Sequence, residues 1–375
     1  MIYKSFQDIK LSALGMGCMR LPCVDKNSNI DLPAVKQMIA YAMEKGVNYY
    51  DTAWGYHDGK SEPVMGEVLS EYPRESFYLA TKFPGYDLNN FGKAEEIFEQ
   101  QLKRCRVDYF DFYLFHNVCE MNIEHYLNTD YKTADFLVEQ KKKGRIRHLG
   151  FSIHGNIETT RRFLDAYGEH IEFCQIQLNW LDYDFQSAKE KIKLLRERNI
   201  PIWVMEPLRG GKLCSLDSKY EERLKALRPD HTVPEWAFRF LQSFSDVTVT
   251  LSGMSNFEQL KQNIATFEDD KPLNEAEIAE LFAIARDMTS KSALPCTKCR
   301  YCTTYCPMEL DIPWMIELYN DHVYSGGGFV PKMAFRSLDD SKKPSACIGC
   351  RACEAVCPQQ IKISEMMSDF TERMR

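Results

Sequence analysis

The chain has no stretch approaching eighteen uninterrupted apolar residues, so no helical membrane span is expected. Its start, MIYKSFQDIK, lacks the charged segment and apolar core of a secretory signal. Long basic runs are also missing; only short pieces such as Lys141-Lys142-Lys143 occur, and the net charge is −7. Neither nucleic acid nor a membrane is therefore an expected partner. These absences point to the cytoplasm, where thiols stay reduced. Cysteine, by contrast, is plentiful: there are 14, and eight of them fall between Cys296 and Cys357. In a reducing compartment such a cluster more often holds metal than forms disulfides. With 375 residues, 44% hydrophobic and 27% charged, the chain suits one large and one small globular domain.

The eight cysteines form two copies of C-x2-C-x2-C-x3-C-P. One copy is Cys296, Cys299, Cys302 and Cys306 before Pro307; the other is Cys347, Cys350, Cys353 and Cys357 before Pro358. A zinc ribbon needs two C-x2-C pairs and has no use for a third cysteine plus C-P in each half. The spacing resembles bacterial ferredoxins with two 4Fe-4S clusters. That resemblance implies one cluster on Cys296, Cys299, Cys302 and Cys357, and a second on Cys347, Cys350, Cys353 and Cys306. Between the copies, Ile312, Met315, Ile316 and Tyr319 recur at helical spacing. The tail is thus expected to be a largely helical two-cluster domain over residues 291–375.

Residues 1–290 alternate short apolar runs with amphipathic stretches. Eight strand candidates lie at 14–18, 47–52, 77–82, 110–116, 146–152, 173–177, 201–206 and 247–252, with helical stretches between them. Asp31 is placed to cap one helix, and Thr232 with Glu235 forms a capping box for another. This order predicts an α/β fold, a (β/α)8 TIM barrel, with a hairpin from IYKSF and IKLS across its bottom. In such barrels chemistry sits at the carboxyl ends of the strands. There stand Asp51, Lys82 and His116, with Tyr56 in the loop after Asp51. A charge that ends an apolar strand is costly unless partnered. Singly each has an ordinary explanation: a cap, a solvated amine, a core histidine. Their placement on successive strand ends argues for a joint role.

YYDTAWGYHDGKSE, the ATK at 80–82 and the FH that ends the fourth strand resemble the aldo-keto reductases. The resemblance spans residues 1 to about 290. It implies a catalytic tetrad of Asp51, Tyr56, Lys82 and His116, acting on a small carbonyl-type substrate with NADH or NADPH. Tyrosine has a pKa near 10 and needs tuning to act as an acid. Lys82 is expected to lower it, with Asp51 holding Lys82 charged and His116 orienting the carbonyl oxygen. The same resemblance assigns nucleotide contacts to Ser152, Gln175 and Met205. It adds Leu208, Gly210 and Gly211 in a pyrophosphate loop, and Gly253, Ser255, Gln259 and Asn263 in an adenosine-phosphate segment. Ile153 replaces the family's usual asparagine, with His154 a possible substitute, and Met205 replaces a stacking aromatic. The basic residues that usually grip a 2′-phosphate are absent apart from Lys261, which favours NADH slightly. Arg20 and Arg209 flank the mouth as solvated arginines or as holders of an anionic substrate. Cys18, Cys23, Cys105, Cys119, Cys174 and Cys214 are read as core residues without a role.

Nicotinamide delivers two electrons together, whereas a cubane passes one. No flavin motif is visible to convert between them. Three readings stay open. The first is a reductase of an aldehyde, ketone or related unsaturated compound, whose clusters serve a redox partner protein or stabilise the tail. The second is an electron carrier whose barrel makes little use of nicotinamide. The third is a non-redox acid–base enzyme with structural clusters.

Overall fold

The computed structural model describes residues 1–25, 29–290, 293–296 and 298–375. An antiparallel hairpin of β1 (Tyr3–Phe6) and β2 (Ile9–Ser12) precedes a closed barrel. The barrel strands are β3 (Leu14–Gly17), β4 (Tyr49–Asp51), β5 (Tyr78–Phe83) and β6 (Phe110–Val118). They continue with β7 (Ile146–Ile153), β8 (Phe173–Gln177), β9 (Ile202–Met205) and β10 (Val247–Ser252). Neighbouring strands follow chain order and run parallel, and β10 closes on β3. All eight expected strands are present, with ends moved by up to two residues.

Large rings fill the barrel interior, which is why it is a packed core and not a pore. Tyr49, Phe112, Phe173 and Trp203 are fully buried there. Gly150 makes room for them: a Cβ at that position would stand 2.5 Å from the Phe173 ring. The hairpin closes the bottom as expected. Phe6 inserts between Phe112 and Trp203, with ring centroids 5.8 and 5.0 Å away. Each such buried ring contributes roughly 1.5–3 kcal/mol. Both expected caps form. Asp31 accepts from the Ala34 N–H at 3.1 Å, and Thr232 and Glu235 make the reciprocal box.

The tail is a repeat. Each half has a short helix inside its cysteine motif, Tyr301–Thr304 or Ala352–Ala355, and a longer one after it, Ile312–Ser325 or Ile363–Arg373. Left-handed backbone recurs at equal offsets: Lys298, Arg300 and Glu309 in one half, Gly349, Arg351 and Gln360 in the other. Ile312, Met315, Ile363, Met366 and Phe370 form a separate small core. A further helix, Phe329–Ser337, joins the halves. Among the described residues no helix is long and apolar enough to cross a membrane.

The tail rests on the barrel's loops after β6 to β9. Met333 accepts from Asn117 Nδ2 at 3.2 Å and lies beside Cys119. Lys212 donates to the Ser325 carbonyl at 2.8 Å. Tyr324 lies 5.5 Å from the Phe185 ring. Ser187, directly before the helix Ala188–Glu197, meets both Glu317 and Lys298 of the tail.

Candidate active site and cluster cages

The expected tetrad converges at the barrel mouth. Lys82 is fully buried, and its Nζ donates to Asp51 Oδ1 at 2.6 Å and to the Thr52 carbonyl at 2.8 Å. It also lies 3.4 Å from the Tyr56 hydroxyl. His116 faces the Tyr56 ring edge-on at 6.0 Å and the Tyr86 ring at 5.3 Å. Its Nδ1 is buried and has no partner among the described residues.

Local structure explains these positions. Behind Lys82, the Thr81 hydroxyl and Gln101 amide donate to the buried Glu62 at 2.6 and 2.7 Å, and Gln101 also donates to the Lys82 carbonyl. Arg104 closes that network on Glu62 at 3.2 Å. Tyr56 sits on a tight loop whose next residues, His57, Asp58 and Gly59, all have left-handed backbone. The Tyr56 carbonyl accepts from the Gly59 and Ser61 N–H groups, which pins the loop. The β6–β7 register breaks between Phe115 and Val118. That irregularity re-aims His116 and Asn117, as bulges often do beside active sites.

Burial acts on every titrating group here. Burial pulls the Lys82 ammonium down, yet Asp51 and Tyr56 outweigh it and hold its pKa above the ordinary value. Burial pushes the Asp51 carboxyl up, and Lys82 opposes the shift. We read the pair as charged, because neutralising either member leaves the other unpaired in a dry site. Tyr56 departs from the sequence-based expectation. Burial raises its phenol, and Lys82 only offsets part of that rise. The phenol is therefore held protonated, as a proton donor requires. His116 is pushed well below its ordinary value by burial, then by Lys82 and His154. It is neutral at physiological pH.

The expected nucleotide contacts fall into groups. Ser152 is buried, and its Oγ accepts from the Asn117 N–H at 2.8 Å. Gln175 is buried beside it on β8, paired to Ser152 in register, and its Oε1 has no partner among the described residues. Asn117 Oδ1 is likewise buried and unpartnered. Among the described residues these two acceptors are free, one near the end of β6 and one within β8, and they suit the amide of a nicotinamide carboxamide. Asn117 was missed in the sequence. The only signal was a polar residue after His116, and its usefulness depends on the β6 irregularity. Ile153 is buried, while Met205 is half-buried at the end of β9.

Leu208 precedes the turn Arg209–Gly211, where Gly210 and Gly211 have φ of 65° and 93°. Arg209 is not the solvated arginine expected. It is buried, its Nε donates to Asp182 at 2.9 Å, and its Nη2 donates to Asp321 of the tail. Gly253 follows β10. Ser255 donates its N–H to Gln259 Oε1 at 2.8 Å, and Asn263 donates to Ser252 Oγ at 2.9 Å. Gln259 and Asn263 thus shape this segment from within. Of the other cysteines, Cys18, Cys105, Cys119 and Cys174 are buried as expected; Cys23 and Cys214 are exposed.

In the tail, two cavities match the two expected ligand sets. One is lined by Cys296, Cys299, Cys302 and Cys357, the other by Cys306, Cys347, Cys350 and Cys353. Each takes three cysteines from one half and one from the other. The sulfurs surround a volume and do not close on a point. Among the described residues no three His, Cys, Asp or Glu side chains are arranged around a single metal ion. Apolar residues such as Ile316, Ile361 and Ile363 line the first cavity, and Leu310, Ile312 and Met367 the second. The Lys298 N–H points at Cys296 Sγ, 3.4 Å away. Four cysteine sulfurs spread around an apolar cavity, with a backbone N–H directed at sulfur, fit a cubane.

A closed (β/α)8 barrel with a Tyr–Lys–Asp–His mouth, joined to two four-cysteine cages, defines an iron–sulfur oxidoreductase. The chain belongs to the aldo/keto reductase family, whose model matches residues 13–286; a 4Fe-4S dicluster domain matches residues 295–362. It is 27% identical over 302 residues to the NADH-specific methylglyoxal reductase of Escherichia coli, covering 69% of this chain and 90% of that protein. It is also 27% identical to the oxidoreductase YqkF of Bacillus subtilis, covering 73% and 92%. In fold it is similar to an aldo-keto reductase of Bacillus halodurans in its holo form, at TM-score 0.62 and 24% identity, covering 76% and 96%. An aldo-keto reductase of Klebsiella pneumoniae in complex with NADPH superposes at TM-score 0.60 and 20% identity, covering 76% and 96%.

Proposed function

We propose that residues 1–290 reduce a small aldehyde, ketone or related unsaturated compound with a nicotinamide nucleotide, and that residues 291–375 carry two 4Fe-4S clusters that exchange electrons with a redox partner. Bound nicotinamide supplies hydride to the carbonyl carbon. The residues of this chain do the rest. Ser152, Gln175 and Asn117 hold the carboxamide. Tyr56 delivers its phenolic proton to the carbonyl oxygen, and neutral His116 orients that oxygen. Lys82, kept charged by Asp51, stabilises the phenolate that Tyr56 becomes. The observation that carries this reading is the buried Lys82 ammonium, bound to Asp51 and 3.4 Å from the Tyr56 hydroxyl.

NADH is the preferred nucleotide in this proposal. Residues 253–259 offer no cation, and Lys261 lies over the Phe257 ring at 4.8 Å. The NADH specificity named for the Escherichia coli relative agrees with it. Cluster-bearing thiolates also suit the reducing cytoplasm. The test is Tyr56→Phe. Carbonyl reduction should fall at least a hundredfold while nucleotide binding stays nearly unchanged, because the proton moves only in the transition state. Full activity in the variant would refute the assignment.

One observation favours a second reading, an electron carrier with weak nicotinamide use. Arg209, in the loop expected to hold pyrophosphate, is engaged by Asp321 of the cluster domain. Absence of NADH and NADPH binding to the cluster-loaded protein would favour that reading.

A further inference from the structure

Four cations stand near the two loops expected to hold the nucleotide phosphates, and three have occupations. Arg209 is locked between Asp182 and Asp321. Lys212 is drawn to the Ser325 carbonyl of the tail. Lys261 lies on Phe257. Arg20 is the exception. It is exposed, and among the described residues its guanidinium has no ion pair and no hydrogen bond.

Its position is set by packing. Arg20 ends the turn Cys18–Arg20 that leaves β3. Its carbonyl accepts from the Ser255 hydroxyl at 3.1 Å, tying it to the loop after β10. Its aliphatic stem runs along Gly253. A Cβ there would stand 3.0 Å from the Arg20 Cβ and 3.1 Å from its Cγ and Cδ. Its guanidinium then reaches the loop after β9, where a Cβ on Gly210 would stand 3.4 Å from Nη2. Gly253 does not have left-handed backbone, so its value lies in the space it leaves for that stem. One arginine thus bridges the adenosine-phosphate segment and the pyrophosphate loop, with its charged end at the latter. The fork of guanidinium donors matches phosphate oxygens.

We propose that Arg20 is the diphosphate-binding cation of the nucleotide site, in the role left vacant by Arg209 and Lys212. It reads the diphosphate shared by NADH and NADPH, not the 2′-phosphate. The assignment rests on the nicotinamide reading above.

The test uses the full chain with clusters loaded, titrated under argon with NADH, NADPH and ADP-ribose. ADP-ribose carries the diphosphate without nicotinamide. Loss of one charge-assisted phosphate contact should weaken all three ligands by about ten- to a hundredfold in Arg20→Ala. Arg20→Lys should recover part of the loss. Gly253→Ala, which keeps the arginine but displaces its stem, should also weaken all three. Lys261→Ala should leave NADH and ADP-ribose unchanged. The cluster absorbance of each variant checks that the fold is intact. Unaltered NADH and ADP-ribose binding in Arg20→Ala would overturn the proposal, as would a loss confined to NADPH. If the wild-type protein binds none of the three, the nicotinamide reading itself fails and takes this assignment with it.

Discussion

Asp321→Asn should loosen the cluster domain from the barrel mouth without unfolding either. Arg209 is only 7% exposed, as is Asp321, and Asp182 is fully buried. Burial raises the Asp321 carboxyl, with Arg209 opposing the shift. Breaking a buried pair outright costs about 3–5 kcal/mol. Here Arg209 keeps Asp182 through Nε, and asparagine preserves the shape, so the charge-assisted part alone is lost, about 1.5–3 kcal/mol. That is about ten- to a hundredfold in the docking equilibrium. Hydrogen exchange should report it locally. Amides in 206–213 and 329–335 should lose protection by that factor, while the strands Phe110–Val118 and Phe173–Gln177 keep theirs. Unchanged protection at 206–213 would mean that Met333, Tyr324 and Lys212 hold the tail without the triad. Global loss of protection would mean that Asp321 supports folding and not docking.

Cluster-loaded protein should carry about eight iron atoms per chain, and Cys357→Ser should damage the cluster of the first motif, read as an altered paramagnetic signal from that cluster. Stoichiometric zinc without visible absorbance would refute this. Lys82→Met should lower stability by about 3–5 kcal/mol in chemical denaturation, because it leaves the Asp51 carboxylate buried and unpaired; a loss under 1 kcal/mol would show that Asp51 is protonated in the native site. Glu172 gives a pH prediction. Burial pushes its carboxyl up, but His148, Gln7 and Lys141 outweigh burial and hold it at about 2, below the ordinary 4.5. Its contribution is thus fully present above about pH 4.5 and lost as pH falls toward 2. Melting curves of wild type and Glu172→Gln should differ at neutral pH and converge near pH 2; a constant gap would refute the linkage.

What could be read in the sequence was what local pattern determines. The strands from Phe110 and Val247 are rich in aromatic and β-branched residues, and Lys82 and His116 were conspicuous because a charge or imidazole ends a mainly apolar strand. The cysteine spacing put three members of each expected ligand set within seven residues of chain, and the resemblance to two-cluster ferredoxins supplied the crossed fourth. What stayed hidden depends on distance and register. Asp321 lies 112 residues from Arg209, so nothing near Arg209 announces its partner. Asn117 becomes useful only because β6 and β7 slip out of register beside it. The direction of the Tyr56 shift turned on how deeply the ring is buried, which the order of residues does not state. Arg20 was noticed as a cation at the mouth, but its alignment with Gly253 and Gly210 exists only in three dimensions.

The exchange of the fourth cysteine between the two tail cavities has a bearing on how the tail is held together. Cys306 and Cys357 each complete a cavity built mainly by the other half, so neither half can finish a cage alone. Each cavity therefore needs both halves in place before its four cysteines come together. The chain between the motifs holds Asp321, Ser325 and Met333, the residues that rest on the barrel. The same stretch of chain therefore links the two cages to one another and the tail to the barrel's loops.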